Sequence, residues 1–467
     1  MIFKQLILIS AGLVFFSSSA VANWTLAPSV LVQESYNDNL TLLNEGDKVT
    51  DFITELTPSI GLAQRSRVLD LALNYRMQNL VYAKESRYNK TYSQFRGNAT
   101  ANLVRDIFFI DASASYGQQM INNAGTISLN NASITRNRTN ATVASVRPYI
   151  EYRLGRLAEL YLAAERGIVR YSTPELRGSG RNSYDAVLRS GSAFRRLLWQ
   201  LDYSKQDISS SRGDTLIQSY NGEVEYRLTP RLGLLSSVGY DDNLYDRSGI
   251  VTNPRGSRWS AGFNWTATRH TTVRASVGRR YFGNTRSLTV TNRARRTDVS
   301  IVYSETITVL ATTLFAANER VVDDEGSGIP ELGSELDPSL PTDNGAAYVR
   351  KRLMGNFSLR SGSSLLTLSV FDENRVYETI TREESVRGGS LAHNWNISQR
   401  LRVISQVSGQ YSDLSLRGTS KYLRASVGVE NRLSPRLVSS FNLSHNQQKG
   451  RRNYDQNIVY ARIVWQM

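Results

Sequence analysis

Hydrophobic and polar residues alternate one for one along most of this chain. Across 68–78, Leu69, Leu71, Leu73, Tyr75 and Met77 share one parity, and Asp70, Ala72, Asn74, Arg76 and Gln78 share the other. A period of two puts these sets on opposite faces of a strand, which a helical period of 3.6 does not do. Phe95, Gly97, Ala99, Ala101 and Leu103 likewise alternate with Gln94, Arg96, Asn98, Thr100 and Asn102. Phe108, Ile110, Ala112, Ala114 and Tyr116 alternate with Phe109, Asp111, Ser113, Ser115 and Gly117, and Trp259, Ala261, Phe263 and Trp265 with Leu423, Ala425, Val427 and Val429 extend the pattern down the chain. The repeating unit is a strand of about ten residues, a short turn, a second strand and a longer polar connection. Arg227-Leu-Thr-Pro-Arg-Leu232 recurs as Arg432-Leu-Ser-Pro-Arg-Leu437 and loosely as Asn396-Ile-Ser-Gln-Arg-Leu401. Proline suits such a tight turn. The longer connections, such as 37–50, 121–139 and 241–257, are rich in Asn, Gly and Ser.

Short turns on one side and long loops on the other are the asymmetry of outer-membrane barrels. The pattern predicts an all-β fold: a transmembrane antiparallel up-and-down β-barrel of roughly 18–22 strands. A soluble sandwich explains any single strand, but not such a succession. Strand parity returns both ends of the barrel to the periplasmic side. Tyr (24) and Trp (6) are abundant, and Trp24, Tyr36, Tyr82, Tyr92, Tyr116, Tyr152, Trp265 and Trp395 near strand ends suit two aromatic girdles. The last strand sets Val459, Ala461, Ile463, Trp465 and Met467 on one face, resembling the C-terminal signal read by barrel-insertion machinery, although that signal usually ends in Phe or Trp.

The first 22 residues differ from the rest. Lys4, an apolar run from Leu6 to Phe16 and Ala20-Val21-Ala22 read as a cleaved secretory signal peptide, which leaves 23–467 as a single barrel domain. The chain contains no cysteine, so disulfides and thiolate metal sites are excluded. No later stretch offers the ~18 consecutive apolar residues of a transmembrane helix. The expected location is the outer membrane of a Gram-negative bacterium. Expected partners are outer-membrane lipid and lipopolysaccharide and the barrel-insertion machinery, with no nucleic acid and no cofactor.

Charge sharpens this picture. The net charge is +15, or +14 without Lys4; residues 305–347 hold nine acids and one base, so the remainder carries +22. Many arginines fall at short turns, among them Arg65, Arg105, Arg153, Arg195, Arg231, Arg293, Arg400 and Arg436, where each adds about 1 kcal/mol of attraction to anionic headgroups. Polar-face parity also points Arg76, Arg96, Arg147, Arg189, Arg274, Arg280, Arg350, Arg352, Arg424 and Arg462 into the lumen. Asp70, Asp111, Glu151, Asp202, Glu223, Glu225 and Asp298 share that direction. Two readings stand side by side. The arginines form structural ladders with carboxylates, or they line a mildly basic conduit for anionic solutes or polysaccharide. Residues 305–347 form the longest connection, an acidic outer loop in which Ile307, Leu310, Ala311, Leu314 and Phe315 have helical spacing, while Ile307, Val309 and Ala311 would also serve a strand. Folded into the mouth, it would narrow a barrel that is otherwise wide.

An enzyme is not expected. Of three histidines, His270 falls in a periplasmic turn, while His393 and His445 lie in phase with lipid-facing residues. None joins a nucleophile or a metal-ligand spacing. A receptor with a folded plug ahead of the barrel is not expected either, because strands begin at Trp24.

Further motifs are Trp24 with Pro28-Ser29-Val30, Tyr36-Asn-Asp-Asn-Leu40, Phe52-Ile53, Pro58-Ser-Ile60, Tyr281-Phe-Gly-Asn-Thr285, Tyr303-Ser-Glu305, Arg350-Lys-Arg-Leu353, Leu366-Thr-Leu-Ser369 and Phe371-Asp-Glu-Asn-Arg375. With them the chain resembles the outer-membrane protein family associated with exosortase/PEP-CTERM sorting systems and exopolysaccharide gene clusters. Tyr240-Asp-Asp-Asn-Leu244 echoes Tyr36-Asn-Asp-Asn-Leu40 and reads as a strand-to-loop exit. The resemblance implies a pore linked to export of an extracellular polysaccharide, with polysaccharide and periplasmic export components as partners. A general porin for small solutes and a structural or adhesive barrel remain as alternatives.

Overall fold

In a computed structural model, twenty-two long antiparallel strands form one closed barrel, from Trp24–Asn37 to Tyr454–Gln466. The structure describes residues 24–44, 46–122, 125–173, 176, 178–210, 213–247, 250–320, 346–414 and 418–467. The expected leader 1–22 with its expected cleavage site, and the acids at 323–343, lie outside the described residues. Consecutive strands pair, and the first closes on the last from Ser29↔Gln466 to Asn37↔Ile458. A short strand, Ile250–Thr252, extends the tip of Leu232–Arg247 and takes no place in the wall.

Registers match the alternation. Ile60 pairs with Tyr75 and Tyr75 with Phe95, so one apolar parity runs from strand to strand around the outside. On that face Leu26, Val32, Leu201, Val238, Trp259, Val277, Val407, Phe441 and Ile463 are between 46% and 67% exposed. A water-soluble surface rarely gathers apolar patches beyond a few hundred Å². This band faces lipid.

The repeated turn sequences fold alike. The register shifts between Arg227 and Thr229 in one and between Arg432 and Ser434 in the other. The Leu232 amide donates to Thr229 Oγ1 at 3.0 Å, and the Arg436 amide donates to Ser434 Oγ at 3.3 Å. The third relative repeats the device, with the Leu401 amide donating to Ser398 Oγ at 3.0 Å. At other short turns Gly155 and Gly362 take φ of 59° and 57°, the left-handed region that glycine enters freely. The turn arginines are exposed in a ring around this end of the barrel.

Three expectations change. Tyr82 is buried inside the barrel with Leu40, Ile53 and Leu80, and Tyr92 packs against the same cluster, so neither belongs to a girdle. Tyr240–Leu244 lies within a strand that continues to Arg247, and only its Tyr36 counterpart marks an exit. The strand before the acidic loop runs to Thr308, and the helix begins at Leu310, so Ile307 is a strand residue.

Val427 sits midway along Thr419–Ser434 on the lipid face, and Ser426 beside it faces the lumen. Val427→Arg should lower unfolding free energy in lipid vesicles by about 2–4 kcal/mol. Ser426→Arg should change it far less, as measured by urea titration of heat-modifiable gel mobility.

Candidate functional site

The lumen wall carries the polar parity of every strand, and there the expected arginines appear. Arg147 meets Glu165 at 2.7 Å, and Glu165 also receives Arg181 from the next strand. Arg189 pairs with Glu159 at 2.7 Å and Arg274 with Glu223 at 2.5 Å. Arg280 grips Asp241 through two bonds of 2.9 Å, with Arg258 at 3.5 Å from the same carboxylate. Arg375 binds Glu373 at 2.6 Å and Glu384 at 3.4 Å, all fully buried, and Arg352 approaches Glu373 at 3.5 Å. Much of the arginine set is therefore a cross-strand ladder. Removing one partner of a buried pair strands a charge, at a cost of about 3–5 kcal/mol.

Arg76, Arg96, Arg350, Arg424 and Arg462 also stand on this wall by register. Arg462 donates to Ser440 Oγ at 2.8 Å. Arg96, Arg350 and Arg424 have no carboxylate within ion-pair distance among the described residues. These three add positive charge to the lumen wall that no carboxylate offsets at short range among the described residues, and the Nε atom of each is buried.

The outer half of the lumen is not open. The helix Leu310–Arg320 enters it, and Val309, Leu310, Ala311, Leu314 and Phe315 are buried. Phe315 lies against Gly167 and beneath the Arg181 guanidinium, 4.2 Å from its ring. A Cβ at Gly167 would stand 2.5 Å from that ring, so glycine is required there. Thr312 donates to Gln206 at 3.1 Å. Seven long strands intervene along the wall between Ala158–Tyr171, which holds Gly167, and Thr297–Thr308, which launches the helix. The segment therefore crosses the lumen as a chord.

The connection after Phe108–Met120 also folds inward. Ile127 donates its amide to Gln448 at 2.9 Å and accepts from the Tyr454 hydroxyl through its carbonyl. Asn131 donates to Gln78 at 2.7 Å, and Gln456 donates to Ser133 at 2.8 Å and to Asn37 at 3.0 Å. These bonds tie the loop across the seam between the first and last strands. Ile127, Leu129, Leu42, Met120, Tyr245, Tyr422 and Tyr454 join the helix residues in one apolar cluster, a septum spanning the barrel. At its edge, burial pushes the Glu378 carboxyl above its usual range. Among the described residues the apolar stretch 309–315 lies inside the barrel, and the acids of the expected constriction lie outside the described residues.

Below the septum the wall presents an aromatic patch. Phe109 stacks on Tyr149 at 5.0 Å and 12°, and Tyr149 leans on Tyr161 at 5.7 Å. All three face the lumen near the short-turn end, half-buried, beside the cross-strand pair Asp111 and Arg147 and close to Glu151. Period-two parity places these three rings on the lumen face, where the sequence expectation named arginines alone as binding residues. Among the described residues no group of His, Cys, Asp and Glu could hold a metal ion.

No family model matches the chain, and no curated protein matches it in sequence. Solved structures do. The siderophore receptor PiuA from Acinetobacter baumannii is 9% identical, with a TM-score of 0.52 over 96% of this chain and 82% of that one. The ferric-catecholate import receptor Fiu from E. coli K12 is 9% identical, with 0.51 over 95% and 82%. The FrpB iron transporter from Neisseria meningitidis is 9% identical, with 0.50 over 95% and 82%. At these identities the likeness establishes the fold, that of outer-membrane β-barrels.

If the septum closes the outer mouth, Leu310, Leu314 and Phe315 changed together to Ser should raise single-channel conductance in planar bilayers several-fold. A conductance equal to that of the unaltered barrel would show that the septum does not limit passage.

Proposed function

We propose that the protein is a septum-gated outer-membrane conduit for an extracellular saccharide chain that enters from the periplasmic side. The observation that carries this reading is the patch Phe109–Tyr149–Tyr161 in the open, periplasmic half of the lumen. Sugar rings lay their C–H faces on aromatic rings, and their hydroxyls bond to flanking carboxylates and guanidinium groups. Asp111, Arg147 and Glu151 supply those flanks. A binding site of this kind needs an apolar platform and a few convergent polar groups. The basic excess at Arg96, Arg350 and Arg424 favours a chain with some negative charge.

The sequence motifs that resemble those of the exopolysaccharide-associated family support the same direction. The asymmetry of the lumen supports export: with the short turns in the periplasm, the polar half would face the periplasm and the septum the outside. The named structural neighbours are uptake receptors for iron complexes, but only the barrel is common ground. The septum here consists of the protein's own outer connections, and the described residues place no separate folded body in the lumen.

In a bilayer, neutral and acidic oligosaccharides added to the periplasmic side should interrupt the current of a septum-opened variant. Changing Phe109, Tyr149 and Tyr161 together to Ala should raise the blocking concentration about tenfold, ~1.4 kcal/mol. Deleting the gene should also remove surface polysaccharide. Intact polysaccharide with slower uptake of small solutes would instead identify a general porin, and weakened cell attachment alone would identify a structural barrel.

A further inference from the structure

On the lipid-facing side, four adjacent strands place one row of residues at the same height near their outer ends. Arg387 on Glu383–Asn396 is opposite Tyr411 on Leu401–Asp413. Tyr411 is opposite Lys421 on Thr419–Ser434, and Lys421 is opposite Lys449 on Leu437–Gly450. The Arg387 guanidinium lies 4.9 Å and the Lys421 ammonium 6.0 Å from the centre of the Tyr411 ring. All three cations are exposed and have no ion-pair partner among the described residues. Two other lysines near the outer rim are neutralised, Lys205 by Asp207 at 3.2 Å and Lys48 by Asp455 at 2.5 Å. The outward carboxylates near this row are Asp413, one pleat above, Asp455, diagonal to Lys449 and bound by Lys48 at 2.5 Å, and Glu383, which accepts from Asn374 at 2.6 Å. Two lysines directly opposite on neighbouring strands repel each other. A shared anion removes that penalty.

The next residues down on the first two strands are Gly389 and Gly409, which leave the surface below the row without side chains. Beneath them a shallow, mostly apolar groove of about 440 Å³ runs between Leu391, Val407, Ala425 and Leu443, with His393 and His445 also in its lining. Cations above and an apolar trough below, on the same strands, match a molecule with phosphate at one end and hydrocarbon at the other. We propose that this face holds one phosphorylated, multiply acylated glycolipid of the outer leaflet, its phosphate on Arg387, Lys421 and Lys449 and an acyl chain in the groove. The site rests on the transmembrane placement of the barrel and not on what passes through its lumen.

The test uses the full-length mature barrel in phosphatidylcholine nanodiscs, with bisphosphorylated lipid A as the probe and native mass spectrometry as the readout. Bound lipid A should fall about tenfold or more in R387Q/K421Q/K449Q. A425W, which fills the groove without altering charge, should also weaken binding, and R387K should retain it. Dephosphorylated lipid A should bind the unaltered barrel as poorly as lipid A binds the triple variant. Excess inorganic phosphate should not displace the lipid. Equal binding by the triple variant or by dephosphorylated lipid A would overturn the proposal, as would displacement by inorganic phosphate, which would mark a site for free anions. Heat-modifiable mobility of each variant separates lost binding from lost folding, and unchanged conductance separates this site from the conduit.

Discussion

Inside hydrocarbon, every backbone N–H and C=O must find its partner within the protein. A sheet meets that demand only by closing, and here closure is the pairing of Trp24–Asn37 with Tyr454–Gln466. Closure fixes one face of each strand to lipid and the other to the lumen, so a register slip of one residue would exchange leucines for arginines around the wall. The turn hydroxyls of Thr229, Ser398 and Ser434 guard that register at the short-turn end.

A barrel of twenty-two strands encloses more space than its wall side chains fill. The molecule treats the two halves of that space differently. In the outer half the chain returns through its own lumen, with 309–315 and the loop after Met120 forming an apolar core of the kind found in soluble proteins. The inner half stays polar, braced by Arg–carboxylate ladders that hold charge in fixed geometry. On the proposed reading, such a lumen would admit a ligand from the periplasm and delay its exit. The septum is secured by a few amide and hydroxyl bonds at the barrel seam and by Phe315 seated on Gly167. Neither the helix nor the loop takes part in the wall's ladder, so either could move without opening the sheet.

The wall was legible in the sequence because period two is a local property: ten arginines placed inward by parity all stand on the lumen wall. His393 and His445 fell on the lipid face as expected. The interior was less legible because its contacts join distant segments. Nothing near Phe315 announces Gly167 or Arg181, and the composition of 121–137 does not reveal that Ile127 reaches Gln448. Ion-pair partners were half visible. Glu165, Asp241 and Glu373 have inward parity, but only the fold decides which arginine each one meets. Tyr82 shows the same limit, since an aromatic at a strand end serves a girdle or a core according to its face alone.

The absence of cysteine makes the central arrangement open to direct measurement. Single cysteines placed in turn at 109–114 would be exposed in intact outer membranes to a water-soluble, membrane-impermeant thiol reagent, supplied first outside the cell and then from the periplasmic side. Positions 109, 111 and 113 should label and 110, 112 and 114 should not, and labelling should require the reagent to arrive from the periplasm. Labelling without alternation would refute a lipid-facing and water-facing wall, and equal labelling from outside would refute the sealed outer half.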